Sequence, residues 1–253
     1  MREGAGEFLV IRLNVGPQGL QKVLQSLPKL IRQFAHVPAV IHLQDIRISP
    51  RRARTIQDSI KQVCPDYTGF YEVRPKRKAR RYDLGVLTLL RNDVAYGATK
   101  TSLETLLEQE KLSTPIAEVL NNCAGWVLVT QSCPVGANGP VWHLNIYQFT
   151  SSATAEQRRA VWEACQCVAE KACDAGAALV FGGNLNAVVS TTQRRGAVRL
   201  KTTDCQLMQT VKSMEGALAA KRDESFSWHS LDGAHAADLD QVGVCPASLG
   251  TPT

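Results

Sequence analysis

Phe181-Gly182-Gly183-Asn184-Leu185-Asn186-Ala187 closes an apolar run, residues 177–181, on a glycine pair and then presents two carboxamides. The run reads as a buried strand. A site is expected where short polar side chains leave such a strand. Four other short strings accompany it along the chain: Leu13-Asn14-Val15, Leu43-Gln44-Asp45, Asn145-Ile146-Tyr147 and Ala237-Asp238-Leu239-Asp240.

The elements around these strings alternate between the two periodicities. Residues 8–15 read as a strand, and Leu20, Val23, Leu24, Leu27, Leu30, Ile31 and Phe34 recur at helical spacing, with Pro28 expected to kink or break the helix. Residues 37–44 form a second buried strand, so the chain opens strand, helix, strand, the pattern of a crossover in an α/β sheet, with Asp45 at the carboxyl end of its strand. A helix begun near Arg51 continues over 56–63. Strands at 67–73 and 84–90 form a hairpin around a basic loop, and 102–121 reads as helix interrupted near Ser113-Thr114-Pro115. Strands 126–130 and 141–149 flank a turn-rich segment. A helix over 154–173, the strand 177–181, a helix over 205–220 and strands at 226–230 and 237–244 complete the pattern. With no internal repeat or linker, residues 7–245 read as one α/β domain.

The chain has 253 residues, 44% of them hydrophobic, enough for a sizeable core. Its 29 Lys and Arg against 23 Asp and Glu give a charge of +6, which favours polyanions mildly. The local distribution is more telling. Lys76, Arg77, Lys78, Arg80 and Arg81 form one basic run, and Arg47, Arg51, Arg52 and Arg54 a second, each able to track a phosphate backbone or simply to form a solvated loop. The start lacks the long apolar stretch of a signal peptide, so the eight cysteines read as ordinary thiols of a reducing compartment, and the protein as intracellular, nuclear or cytoplasmic, and not secreted. No apolar run approaches the ~20 residues that span a bilayer, so no membrane partner is expected.

Together the strings resemble the endonuclease/exonuclease/phosphatase superfamily, and within it the apurinic-endonuclease-like domain of LINE-type retrotransposons. Over about residues 7–245, Leu13-Asn14-Val15 resembles the family's W-N-V and Leu43-Gln44-Asp45 its L-Q-E; residues 85–89 resemble G-V-A-I-L and residues 145–149 N-V-Y-A-P. Residues 182–187 resemble G-G-D-F-N-A, Ser227-Trp228 resembles T-W, and Asp238-Leu239-Asp240 resembles R-I-D. The resemblance implies a two-sheet α/β sandwich with helices on both outer faces and a site where strand ends of the two sheets meet. It also implies a phosphodiesterase using Mg²⁺ held at the L-Q-E position, here Asp45. Asn14, Tyr147, Asn184, Asn186 and Asp240 would stand around the scissile phosphate, with Arg47, Arg51, Arg52 and the basic run 76–81 on nucleic acid, DNA rather than RNA.

Several positions depart from the family pattern. Asp45 keeps the charge of the family glutamate but reaches roughly 1.5 Å less far; it reads equally as a helix N-cap or as an ion-pair partner of Arg47. Asn184 replaces the aspartate that activates water, and a neutral amide cannot take a proton, a loss that typically costs about 10² to 10⁴ in rate. Asn14 and Asn186 can donate to phosphate or form turns, and Tyr147 can donate its hydroxyl or pack its ring in the core. Asp238 stands where the family has arginine. The family's S-D-H histidine segment is not met before Thr253, so residues 246–253 read as a truncated tail, with His229 and His235 the nearby substitutes. Three functions follow: a catalytically impaired nucleic-acid-binding form, an active Mg²⁺-dependent DNA endonuclease, or a retroelement fragment without selected activity.

Overall fold

The structure is a computed structural model that describes residues 9–16, 19–48, 54–74, 83–93, 96–134, 139–150, 153–188, 190–195, 199–214, 216–218, 228–229, 236–237 and 240–245. The chain runs β1 (Val10–Asn14), α1 (Leu20–Ile31), β2 (Val40–Ile48), α2 (Ile56–Val63), β3 (Tyr67–Val73), β4 (Asp83–Arg91), β5 (Thr99–Thr101), α3 (Leu103–Leu107) and α4 (Ile116–Cys123). It continues β6 (Val127–Ser132), β7 (Val141–Tyr147), α5 (Ala155–Asp174), β8 (Ala178–Asn184), β9 (Arg194–Arg195), α6 (Thr202–Ser213), β10 (Ala217–Leu218), β11 (Trp228–His229), β12 (Ala236–Ala237) and β13 (Asp240–Cys245). One sheet has the order β1-β2-β4-β3, a second the order β10-β13-β8-β7-β6-β5, and β11-β12-β9 form a small third sheet. The pairs β1–β2 and β7–β8 are parallel, and α1 and α5 are their crossovers.

Each large sheet buries its outer face under helices. Leu20, Leu24 and Leu27 of α1 and Ile56 and Ile60 of α2 pack on Ile41, Leu43, Ile46 and Ile48 of β2 and on Leu87 and Leu89 of β4. On the other side, Ala160, Val161, Ala164, Cys165 and Val168 of α5 cover Leu144 and Ile146 of β7 and Leu179 and Phe181 of β8. Burying each Leu or Ile contributes about 1.5–3 kcal/mol. That explains why α1 runs through Pro28 to Ile31 instead of breaking there: its buried leucines offset the lost hydrogen bond, and Arg32 N still donates to Pro28 O at 3.4 Å.

The faces the sheets turn toward each other are unusually polar. Strand alternation sends Leu43 outward and His42 and Gln44 inward on β2, and likewise Leu144 outward and His143 and Asn145 inward on β7. The result is a buried seam containing His42, Gln44, Thr88, Thr130, Ser132, His143 and Asn145. Its main bridge runs from Gln44 Nε2 to Asn145 Oδ1 at 2.7 Å, while Asn145 Nδ2 donates to Leu87 O at 2.9 Å and to Leu43 O and Thr88 Oγ1 at 3.3 Å. One side chain thereby ties β7 to both β2 and β4.

Three expectations are corrected. Asp45 is not the end of its strand, because β2 continues to Ile48 beyond a β-bulge between Leu43 and Ile46, with Asp45 at φ +50°. The helix expected over 205–220 ends at Ser213, and Ala217 and Leu218 instead pair with Val244 and Gly243 at the sheet margin. Arg54 and Thr55 form a turn, so the helix expected from near Arg51 starts at Ile56. No described helix is long and apolar enough to cross a membrane.

Candidate functional site

The carboxyl ends of β1, β2, β7 and β8 meet at one end of the sandwich. Asn14 pairs with Gln44 in the first sheet, and Tyr147, Asn184 and Asp240 occupy one row across β7, β8 and β13 in the second. Gly183 lets these ends close. At φ +142°, a Cβ on it would sit 1.9 Å from Ile146 O and 3.2 Å from Gln44 Nε2. The glycine pair of the opening stretch is therefore a close approach of β8 to β7 and to the inter-sheet bridge.

The bulge in β2 sets the charges. It places Gln44 and Asp45 together opposite Val86 and returns Ile46 and Ile48 to the apolar outer core, leaving Arg47 on the side of Gln44. Arg47 Nη2 then donates to Asp45 Oδ2 at 2.9 Å and Nε to Oδ1 at 3.3 Å, a two-point ion pair. Of the two local readings of Asp45, the partner of Arg47 is the one observed. The Asp45 side chain is only 8% exposed and Arg47 40%, so the carboxylate is the inner member and the guanidinium the outer. Hydrogen bonding to Asp45 raises the Arg47 pKa, with a smaller contribution from the nearby Tyr147. Asn14, exposed at the end of β1, lies across Gly16 from this pair: a Cβ on Gly16 would be 3.8 Å from Asn14 Oδ1 and 4.0 Å from Asp45 Oδ2.

The carboxamides beyond β8 are largely occupied with their own loops. Asn184 Oδ1 accepts from Asn186 N at 3.1 Å, and Asn184 O accepts from Gln148 N at 2.8 Å. Asn186, at φ +50°, donates from Nδ2 to Gln148 O at 2.5 Å. Both asparagines thus fasten the loops after β7 and β8 to each other, the turn-forming alternative for Asn186, while Asn184 Nδ2 is engaged by no described residue. The Tyr147 ring packs on Trp126 with centroids 4.7 Å apart, which holds it at the row's start.

Asp238, the basic run 76–81 and Arg51 and Arg52 lie outside the described residues, as does His235. Their anchor points do not. Asp83 pairs with Ile48 and Leu84 with Arg47, so the segment between β3 and β4, like the one following β2, leaves the sheet at the Asp45–Arg47 end. A cavity of about 340 Å³ opens there too, lined by Leu20, Gln21, Leu24, Arg47, Thr55 and Ser59. The sequence reading overlooked Gln44, Asn145, His42 and His143 as individual residues; the available signal was a polar residue at an inward position of an otherwise apolar strand.

Among the described residues, the donors around Asp45 do not suit Mg²⁺. That ion demands near-octahedral oxygen ligands, yet both oxygens of Asp45 are held by Arg47 and Asn184 Oδ1 is held by Asn186. Among the described residues, no three His, Cys, Asp or Glu gather where they could hold a metal.

No protein-family model matches the chain, and no curated protein matches its sequence. Solved structures do. The endonuclease domain of TRAS1, a telomere-specific non-LTR retrotransposon, superposes with TM-score 0.58 at 13% identity, over 93% of this chain and 83% of that one. The AP endonuclease LMAP from Leishmania major gives 0.62 at 16% identity over 95% and 78%. The 3′ phosphatase NExo from Neisseria, bound to product DNA hairpin, gives 0.60 at 12% identity over 94% and 85%. The chain has the endonuclease/exonuclease/phosphatase fold.

Proposed function

We propose that residues 7–245 form one domain of retrotransposon-endonuclease ancestry that binds nucleic acid, DNA in preference to RNA, inside the cell, and hydrolyses phosphodiesters very slowly or not at all. The observation that carries this reading is the Asp45–Arg47 pair, with a neutral Asn184 at the same end of the sandwich: the Asp45 carboxylate is already paired, and the Asn184 amide cannot accept a proton from water. What remains suits binding. Arg47, the Asn184 and Asn14 amides and the Tyr147 row surround the strand ends, and both basic stretches depart from the same end of the sheet. The competing reading, an active Mg²⁺-dependent DNA endonuclease, draws on Asn14 and Asp45 flanking Gly16 and on the backbone row of Tyr147, Asn184 and Asp240.

Fluorescence anisotropy with a labelled duplex tests binding. Affinity is expected to fall about 10- to 100-fold between 50 and 200 mM salt, as basic side chains release condensed counterions. Charge-neutralising substitutions in 76–81 should flatten that slope. An affinity that does not change with salt contradicts the proposed interface.

A further inference from the structure

We propose that Arg47 takes the place of a divalent cation at Asp45, so that this site presents a guanidinium to phosphate and is closed to metal. The role toward phosphate rests on the function proposed above; the exclusion of metal does not.

A carboxylate as enclosed as Asp45 needs a counter-charge, because an unpaired buried charge is strongly unfavourable. The β-bulge supplies one from two residues along the same strand. Arg47 returns to the side of Gln44 and covers both carboxylate oxygens, at 2.9 and 3.3 Å. A hard cation entering here would have to displace that contact, and the side-chain oxygen that shares the surroundings of Gly16 with Asp45 is the neutral Asn14 Oδ1. The guanidinium differs from a metal ion in chemistry as well as in identity. It is planar and singly charged, and only two of its five N–H donors are spent on Asp45. Its outer edge, on a side chain 40% exposed and bordering the cavity at α1 and α2, retains donors for a phosphate oxygen. Such a site attracts phosphate without metal, but it neither lowers the pKa of a bound water nor polarises phosphorus as a divalent ion does.

Mn²⁺ binding, followed by the electron paramagnetic resonance signal of the free ion, separates the alternatives without any assay of turnover. Arg47→Ala is expected to bind Mn²⁺ at least about tenfold more tightly than the unaltered protein, through the freed carboxylate. The double variant Arg47→Ala/Asp45→Asn should lose that gain. Arg47→Gln, which keeps donors for Asp45 but no charge, should also gain Mn²⁺ binding and guards against misfolding of the alanine variant. Equal Mn²⁺ binding by unaltered protein and both single variants, whether strong or absent, overturns the proposal. With a labelled duplex, the unaltered protein should bind equally in EDTA and in Mn²⁺, whereas Arg47→Ala should weaken about 5- to 10-fold in EDTA and recover with Mn²⁺. Metal-dependent DNA binding by the unaltered protein also overturns it. Failure of every protein to bind DNA would remove the nucleic-acid function and leave the Mn²⁺ result to decide the role of Arg47.

Discussion

Gly183→Ala should cost more than about 4 kcal/mol, a large part of the 5–15 kcal/mol that holds a typical domain folded. The added Cβ would sit 1.9 Å from the carbonyl oxygen and 2.9 Å from the carbonyl carbon of Ile146, both backbone atoms that no rotamer change can clear. It would also crowd Gln44 Nε2 at 3.2 Å, on the donor that bridges the sheets to Asn145. Relief requires β8 to separate from β7, which loosens Tyr147 and Asn184 together. Gly176→Ala provides the comparison. Gly176 also has positive φ, +62°, but a Cβ there meets nothing within 4 Å, so only backbone strain of about 1 kcal/mol is expected. Urea denaturation of the two variants measures the difference; equal costs would mean that β8 does not approach β7 as described.

Stability should also fall steeply in mild acid. His42 and His143 face one another across the seam; burial, then the charges of His143 and Arg12, lower the His42 pKa to about 3, and burial lowers that of His143 to about 4. Both imidazoles are therefore neutral in the folded protein at pH values where an unfolded histidine, with pKa about 6.5, takes up a proton. The unfolded state binds more protons, so the contribution is intact above about pH 6.5 and is lost as pH falls through that value, until the folded protein itself protonates near the lowered pKa values. Two such groups give a slope approaching 2.7 kcal/mol per pH unit and a loss on the order of 4 kcal/mol by pH 5. Denaturant unfolding at pH 7.5 and 5.0 measures this directly. A flat profile over that interval would show that the two histidines are not enclosed.

The fold was legible because its elements are long and strongly periodic. The first parallel crossover and the hairpin of β3 and β4 could be placed from spacing, and the strand ends that carry the site strings from the family resemblance. What could not be read was the backbone between motif positions. A bulge leaves no mark in Leu43-Gln44-Asp45-Ile46 beyond a shift in which apolar residues alternate, yet it decides that Asp45 meets Arg47. The carboxyl end of α6 was misjudged because helical spacing carries no information about the margin strand that Ala217 and Leu218 complete. The seam was hidden for a different reason: an inward polar residue looks like an outward one until its partner in the other sheet is known. Asn184 and Asn186 were singled out for chemistry, and their hydrogen bonds bind loops, which sequence spacing cannot distinguish.

Nicking of supercoiled plasmid in Mg²⁺ and in Mn²⁺, with EDTA controls and Asp45→Asn alongside, tests most directly the claim of a binding cleft without metal-dependent turnover. The unaltered protein should show no nicking above Asp45→Asn in either metal. EDTA-sensitive nicking that is abolished by Asp45→Asn would contradict the claim and establish a working metal site.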